Sequence, residues 1–236
     1  MPFFYFPYYY SPYAIVVLPA IIFALYAQFK VQATFQRYLQ VRAQSGLTGA
    51  DVARSLLRSQ GLEEVRVEAI PGNLTDHYDP RDRTLRLSQQ VFYGNSLAAL
   101  GVAAHETGHA LQHANDYVPL TVRSSLVPAA NIGSQLGLPL ALFGFFFQSG
   151  FMLQLGIILF SLAVLFQLVT LPVEFNASSR ALTLLEGEGA LAHGEIGGAR
   201  AVLSAAALTY VAATLSAVLQ LLRLLLMAGF LGRRRD

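Results

Sequence analysis

Four long apolar stretches constrain this chain more than any other feature. They run roughly from Tyr13 to Phe29, Leu126 to Phe147, Phe151 to Val173 and Val202 to Leu231. A helix needs about 20 apolar residues to cross a bilayer core. The first and third stretches are uncharged, the second holds Asn131 and Gln135, and the fourth has Arg223 as its one charge. Charged residues make up 13% of the chain, against about 25% in an average soluble domain. So little charge cannot coat a soluble protein of 236 residues, and a multi-pass helical membrane protein is expected. Disorder is excluded by the same composition. With no cysteine, disulfides, thiolate zinc sites and thiol nucleophiles are excluded too. The net charge of +2 is too small to argue for a nucleic-acid partner.

The distribution of Lys and Arg predicts an orientation. Met1 to Tyr10 carries neither, so it lacks the basic start of a cleavable signal. Its aromatic residues, Phe3 to Tyr10, read as an interfacial belt. The first positive charges, Lys30, Arg37 and Arg42, follow the first span and place the N-terminus outside. Gln148, Ser149 and Gly150 are all that join the second and third spans, which makes a tight hairpin. It returns the chain to the side it left, so Val31–Arg123 and Glu174–Arg200 share the cytoplasmic face. Twelve of the sixteen Lys and Arg lie there, counting Lys30. If the last stretch crosses as well, Arg233, Arg234 and Arg235 end up outside, against the rule. The alternative is an interfacial or re-entrant last helix.

The segment between the first two spans holds most of the charge. Thr48 reads as a helix N-cap with Asp51 in the capping-box position. Val52, Leu56 and Leu57 form an apolar stripe, and Gly61 a stop. Val65, Val67 and Ala69 alternate with polar neighbours as a short strand. Pro71–Gly72 turns, Asp79–Asp82 turns again, and a strand follows through Leu85 and Leu87. Ser88 or Ser96 could cap the next helix. An α+β insertion with at most three short strands is expected.

That next helix carries the chemistry. It includes His105–Glu106–Thr107–Gly108–His109, an HExxH pattern. Residues four apart share a helix face, so both imidazoles can reach one metal ion. Glu106 lies beside them, placed to act on a metal-activated water without ligating the ion. Two histidines at this spacing also occur by chance on polar surfaces. Here, however, the helix is rich in alanine, and three of the chain's five histidines fall within nine residues.

A catalytic zinc takes three protein ligands and keeps one position open. His113 continues the row, but His105 and His113 lie about 12 Å apart along a helix, too far for one ion. His113 reads as a supporting or surface residue. The metzincin solution fails because Gln112 and Asn115 occupy the positions it needs. Between Asp116 and Glu186 the one acid is Glu174. A carboxylate at the end of an apolar helix is costly unless paired or ligated. Glu174 is therefore either an interfacial residue paired with Arg180 or the third ligand, as in gluzincin-type peptidases.

The segments VAAHETGHALQH, DHYDP (Asp76–Pro80), LVPAANIGS, LFQLVTLPVEFNAS and AALTYVAA together resemble the bacterial membrane-anchored neutral zinc metallopeptidases, the YugP-like family. The likeness spans nearly the whole chain. It implies a zinc peptidase of the bacterial cytoplasmic (inner) membrane, with one Zn2+ held by His105, His109 and Glu174 and with Glu106 catalytic. The layout also resembles the HtpX and CAAX-prenyl protease group. Those proteins place Asp four residues after the third ligand to support a zinc histidine; here that position is Ser178, so Ser178 or Asn176 would have to substitute.

Candidate donors to the reaction's oxyanion are His77, Arg180 and Tyr210. Asp76 and Asp79 read as turn residues, or their segment binds substrate by strand addition. His193, among glycines, reads as a loop residue. The expected organisation is a membrane anchor at 1–30, a cytoplasmic α+β segment with the HExxH helix at 31–125, a transmembrane hairpin at 126–173, a cytoplasmic helix with the third ligand at 174–201, and a membrane helix with a basic tail at 202–236. The expected partners are the lipid bilayer and a peptide or membrane-protein substrate. The expected activity is peptide hydrolysis with the active site facing the cytoplasm. The competing reading is an inactive membrane scaffold clipped by zinc. An intramembrane protease would carry HExxH within a span and is disfavoured, because here the motif precedes the second span by roughly 20 residues, in a helix with a polar C-terminal end. A transporter is weaker still, since no span carries paired charges. Nitrogen and oxygen donors alone would also admit manganese or cobalt.

Overall fold

The computed structural model describes residues 13–233; the aromatic N-terminal belt, Arg234 and Arg235 lie outside them. A turn of 3-10 helix at Ile15–Val17 leads into α1 (Leu18–Leu39). Then come α2 (Gly49–Ser59), β1 (Arg66–Ile70), β2 (His77–Asp79), β3 (Thr84–Ser88), the short α3 (Gln89–Phe92) and α4 (Leu97–Ala114). The chain continues through α5 (Val118–Ile132), a π-helical stretch at Gly133–Gly137, α6 (Leu138–Phe146), α7 (Gly150–Gly187) and α8 (Ile196–Arg233).

The protein is mainly helical, and among the described residues four helical runs are long and apolar enough to cross a membrane: Ile15–Leu39, Val118–Phe146, Gly150–Gly187 and Ile196–Gly229. They overlap the four apolar stretches of the sequence, and each runs beyond its stretch at one end or both. Hydropathy marks only the part that tolerates lipid, whereas the helix continues until something breaks its hydrogen bonding. Glu174 consequently lies within α7, the same helix as the third stretch. Pro172 is accommodated inside α7.

The chain divides into two units. One draws on 13–26, 122–171 and 210–233. Its core joins Ala141, Leu153, Phe160 and Val164 to Leu224 and Met227. The α6–α7 connection is as short as expected, with Gln148 at a positive φ of 53°. Gly137 lets the backbones of the two arms meet, since a Cβ there would lie 2.6 Å from Phe160 N. In lipid, such close approach of small residues is what holds helices together.

The other unit comprises Ala27–Thr121 and Pro172–Thr209. The Thr48–Asp51 capping box is formed, Gly61 has a φ of +69°, and Val52, Leu56 and Leu57 are buried. The sheet has three strands in the order β1-β3-β2. β1 runs parallel to β3, with Val67 opposite Leu85, and β2 runs antiparallel to it, with Tyr78 opposite Leu85. Leu85 and Leu87 of the central strand are completely covered. The sheet and α2 pack against α4. Ser96, not Ser88, supplies the side-chain cap, accepting from Ala99 N at 3.1 Å. The small residues of α4 let it pack closely: Ala98, Ala99, Ala103 and Ala104 are fully buried, and Gly101 sits 3.5 Å (as a notional Cβ) from Ala199 of α8.

Candidate metal centre

His105 and His109 lie one turn apart on α4, their ring centroids 4.8 Å from each other. Glu174 of α7 faces them, 2% exposed. Its Oε2 lies 3.3 Å from His105 Nε2 and 3.6 Å from His109 Nε2. One donor atom from each of the three lies within 4.8 Å of the others. Donors tetrahedrally placed about 2.0–2.1 Å from one zinc ion stand about 3.4 Å apart, and the two separations from Glu174 lie close to that spacing. Two nitrogens and one carboxylate oxygen with no thiolate are a donor set of the kind found in catalytic zinc sites.

Two features bring the helices this close. Gly108, between the histidines, leaves room for the α7 backbone: a Cβ there would lie 2.6 Å from Ala177 O. Around it, polar side chains tie α4 to α7. Ser178 Oγ is 3.1 Å from His105 Nδ1, and His109 Nδ1 is 2.9 Å from Gln112 Oε1. Gln112 Nε2 donates to Val173 O at 2.8 Å and to Asn176 Oδ1 at 2.9 Å. Arg180 Nε donates to the same Asn176 oxygen at 2.8 Å. Burial works against a charged His109, but the Glu174 and Glu106 carboxylates outweigh it and raise its pKa above the ordinary histidine value. Glu106 itself is buried, at 8% exposure.

His113 stays outside this cluster. Its Nδ1 is 2.9 Å from the Tyr78 hydroxyl, joining the end of α4 to β2. His77 is exposed and its Nδ1 lies 2.8 Å from Thr75 O. Tyr210 is on α8, in the other unit. Asp76 does more than turn the chain: its carboxylate accepts Ser88 N–H at 2.7 Å and the Ser88 hydroxyl at 3.0 Å. Burial raises the Asp76 pKa, and the Glu106 charge adds to the rise. Asp79 does cap its turn, accepting Arg81 N–H at 3.0 Å. His193 pairs at the surface with Glu186. The residue missed from sequence is Gln112, which there registered only as a mismatch to another class of peptidase.

Residues 13–229 match the family described as "Putative neutral zinc metallopeptidase". The chain belongs to this family. It is also 50% identical over 208 residues to a Bacillus subtilis (strain 168) protein named "Putative membrane protease YugP", a match covering 88% of this chain and 92% of that protein. No solved structure matches. The matched family range takes in Glu106, all three members of the His/His/Glu group and the four apolar helices.

Proposed function

We propose that this protein is an integral membrane zinc metallopeptidase that hydrolyses peptide bonds at the cytoplasmic membrane face. The observation that carries the reading is the pair of 3.3 and 3.6 Å separations from Glu174 to two histidine nitrogens one helical turn apart, in a chain of a zinc metallopeptidase family. His105, His109 and Glu174 would hold one zinc per chain. When bound, the ion would polarise the scissile carbonyl and lower the pKa of its water towards 7. Glu106 takes a proton from the attacking water as its oxygen bonds to the carbonyl carbon. It returns that proton to the amine nitrogen as the C–N bond breaks. The edge strand β2, packed against α4, offers its outer side to an extended peptide. The concentration of Lys and Arg between the apolar stretches supports the cytoplasmic placement, and the name of the Bacillus protein supports proteolysis at a membrane.

The test uses the full chain purified in detergent. Elemental analysis reads zinc, and mass spectrometry reads cleavage of a mixture of unstructured peptides. Wild type is expected to hold about one zinc and cut internally, while Glu106→Gln keeps the zinc and cuts nothing. A fully active Glu106→Gln protein overturns the mechanism. Zinc without any cleavage, together with unfolding on chelation, would favour the scaffold instead.

A further inference from the structure

Building on that reading of the metal centre, we propose that Gln112 is its positioning residue: it fixes which nitrogen of His109 faces the ion and holds the backbone at Glu174 in place. Gln112 is completely buried and sits three residues after His109 on α4. The two ends of a glutamine amide have nearly the same shape, so its partners must decide its orientation. Val173 O is a peptide carbonyl and can only accept, so Gln112 presents its NH2 to it. The Arg180 guanidinium can only donate, so Asn176 presents Oδ1 to it, and the same oxygen takes the second Gln112 N–H. Gln112 Oε1 is thereby left facing His109 Nδ1. Two acceptors cannot face each other at 2.9 Å, so Nδ1 carries a hydrogen and Nε2 is the atom turned towards Glu174. A peptide carbonyl and a guanidinium, neither of which has a choice of role, thus set the tautomer of a ligand.

His105 is held differently. A serine hydroxyl both donates and accepts, so Ser178 leaves the His105 tautomer open. Gln112 has a second effect that Ser178 lacks. Val173 O belongs to the peptide bond immediately before Glu174, so the side chain that orients His109 also anchors the backbone of the third ligand. Because the amide is neutral, it does this without adding a third negative charge beside Glu174 and Glu106. In metal proteins generally, removing such an outer partner weakens metal binding about 10- to 100-fold.

The experiment compares wild type, Gln112→Met and Ser178→Ala as full chains in detergent. Three quantities are read: zinc affinity by chelator competition, metal-free melting temperature, and 15N-histidine NMR spectra, which five histidines keep simple. Gln112→Met is expected to weaken zinc about 10- to 100-fold, and to turn the slowly exchanging His109 Nδ1–H signal into one that exchanges with water. Ser178→Ala should shift His105 signals and leave those of His109 in place. A Gln112→Met protein that melts lower but binds zinc as tightly as wild type overturns the proposal, because Gln112 would then serve packing alone. If wild type binds no zinc, the metallopeptidase reading fails, and the metal-free spectrum still tests the Gln112 contact: lack of a protected His109 Nδ1–H there overturns the Gln112 assignment by itself. Should Gln112→Met not fold, Gln112→Glu keeps the volume and the acceptor facing His109. It should retain the Nδ1–H signal with weaker zinc, and wild-type zinc affinity in it would overturn the anchoring of Glu174.

Discussion

Gly108→Ala adds one methyl group between the two histidines of the proposed metal centre. The added Cβ would stand 2.6 Å from Ala177 O and 3.2 Å from Ala177 Cα. The first is at least about 0.8 Å inside ordinary van der Waals contact. The obstacle is the α7 backbone, which cannot rotate away as a side chain could, so α4 and α7 must separate by about that amount. Two opposing terms act on folding. Alanine is favoured over glycine in a helix interior by about 1 kcal/mol, while overpacking costs about 1–3 kcal/mol. The metal-free protein should therefore lose no more than about 2 kcal/mol. Zinc binding has no such offset. His109 is the next residue on α4 and Glu174 lies three residues before Ala177 on α7, so the gap opens between ligands. Metal sites tolerate about 0.2 Å, well under the forced displacement. A hundredfold weaker affinity, at a free zinc level of 100 times the wild-type dissociation constant, removes most of the about 2.7 kcal/mol that the ion contributes. The assay is a thermal melt of wild type and variant with and without zinc, alongside chelator competition. A small metal-free shift with a large loss of the zinc-dependent shift is expected. A Gly108→Ala protein with wild-type zinc affinity would refute the argument that close backbone approach at residue 108 builds the site.

Other outcomes follow from the same geometry. Glu174→Ala should lose the zinc that Glu106→Gln retains, read by elemental analysis of both. Thr48→Ala should cost about 1 kcal/mol in a thermal melt, as loss of an N-cap does. The Thr48 hydroxyl and N–H donate to Asp51 at 2.6 and 3.0 Å and hold its pKa below the ordinary value. A depressed carboxylate stabilises the fold above its unfolded pKa and loses that effect as pH falls through the folded value. The melting difference between wild type and Asp51→Asn should thus shrink below about pH 4. Asp76 has the opposite sign: burial raises its pKa, so the folded state keeps its proton where the unfolded chain has released it, and stability falls as pH rises between the two values. At neutral pH Asp76→Asn, which keeps an acceptor for Ser88, should melt at or slightly above wild type. Asp76→Ala, which strands the Ser88 N–H, should cost about 1–3 kcal/mol.

What was legible in the sequence was what depends on neighbours along the chain. The capping box at Thr48, the stop at Gly61, the strand through Leu85 and Leu87 and the HExxH face all follow from contacts within a few residues, where spacing and structure are nearly the same thing. The four apolar helices were legible for a different reason, since a bilayer imposes a length. Their ends were not, because hydropathy records what lipid tolerates and a helix such as α7 continues through Glu174 to Gly187. Glu174 could be singled out because acids are scarce between Asp116 and Glu186, yet scarcity could not say whether it faced Arg180 or the histidines. Gln112 was out of reach altogether. Its importance lies in three bonds made at once, to His109, Val173 and Asn176, and two of those partners are more than sixty residues away. A carboxylate four residues after Glu174 would have announced support for a histidine by its charge. Where the chain instead has Ser178 and Gln112, support comes from neutral groups whose roles are set by partners on another helix. Such support leaves no signature in one dimension, which is why the proposed ligands could be picked out before the groups that orient them.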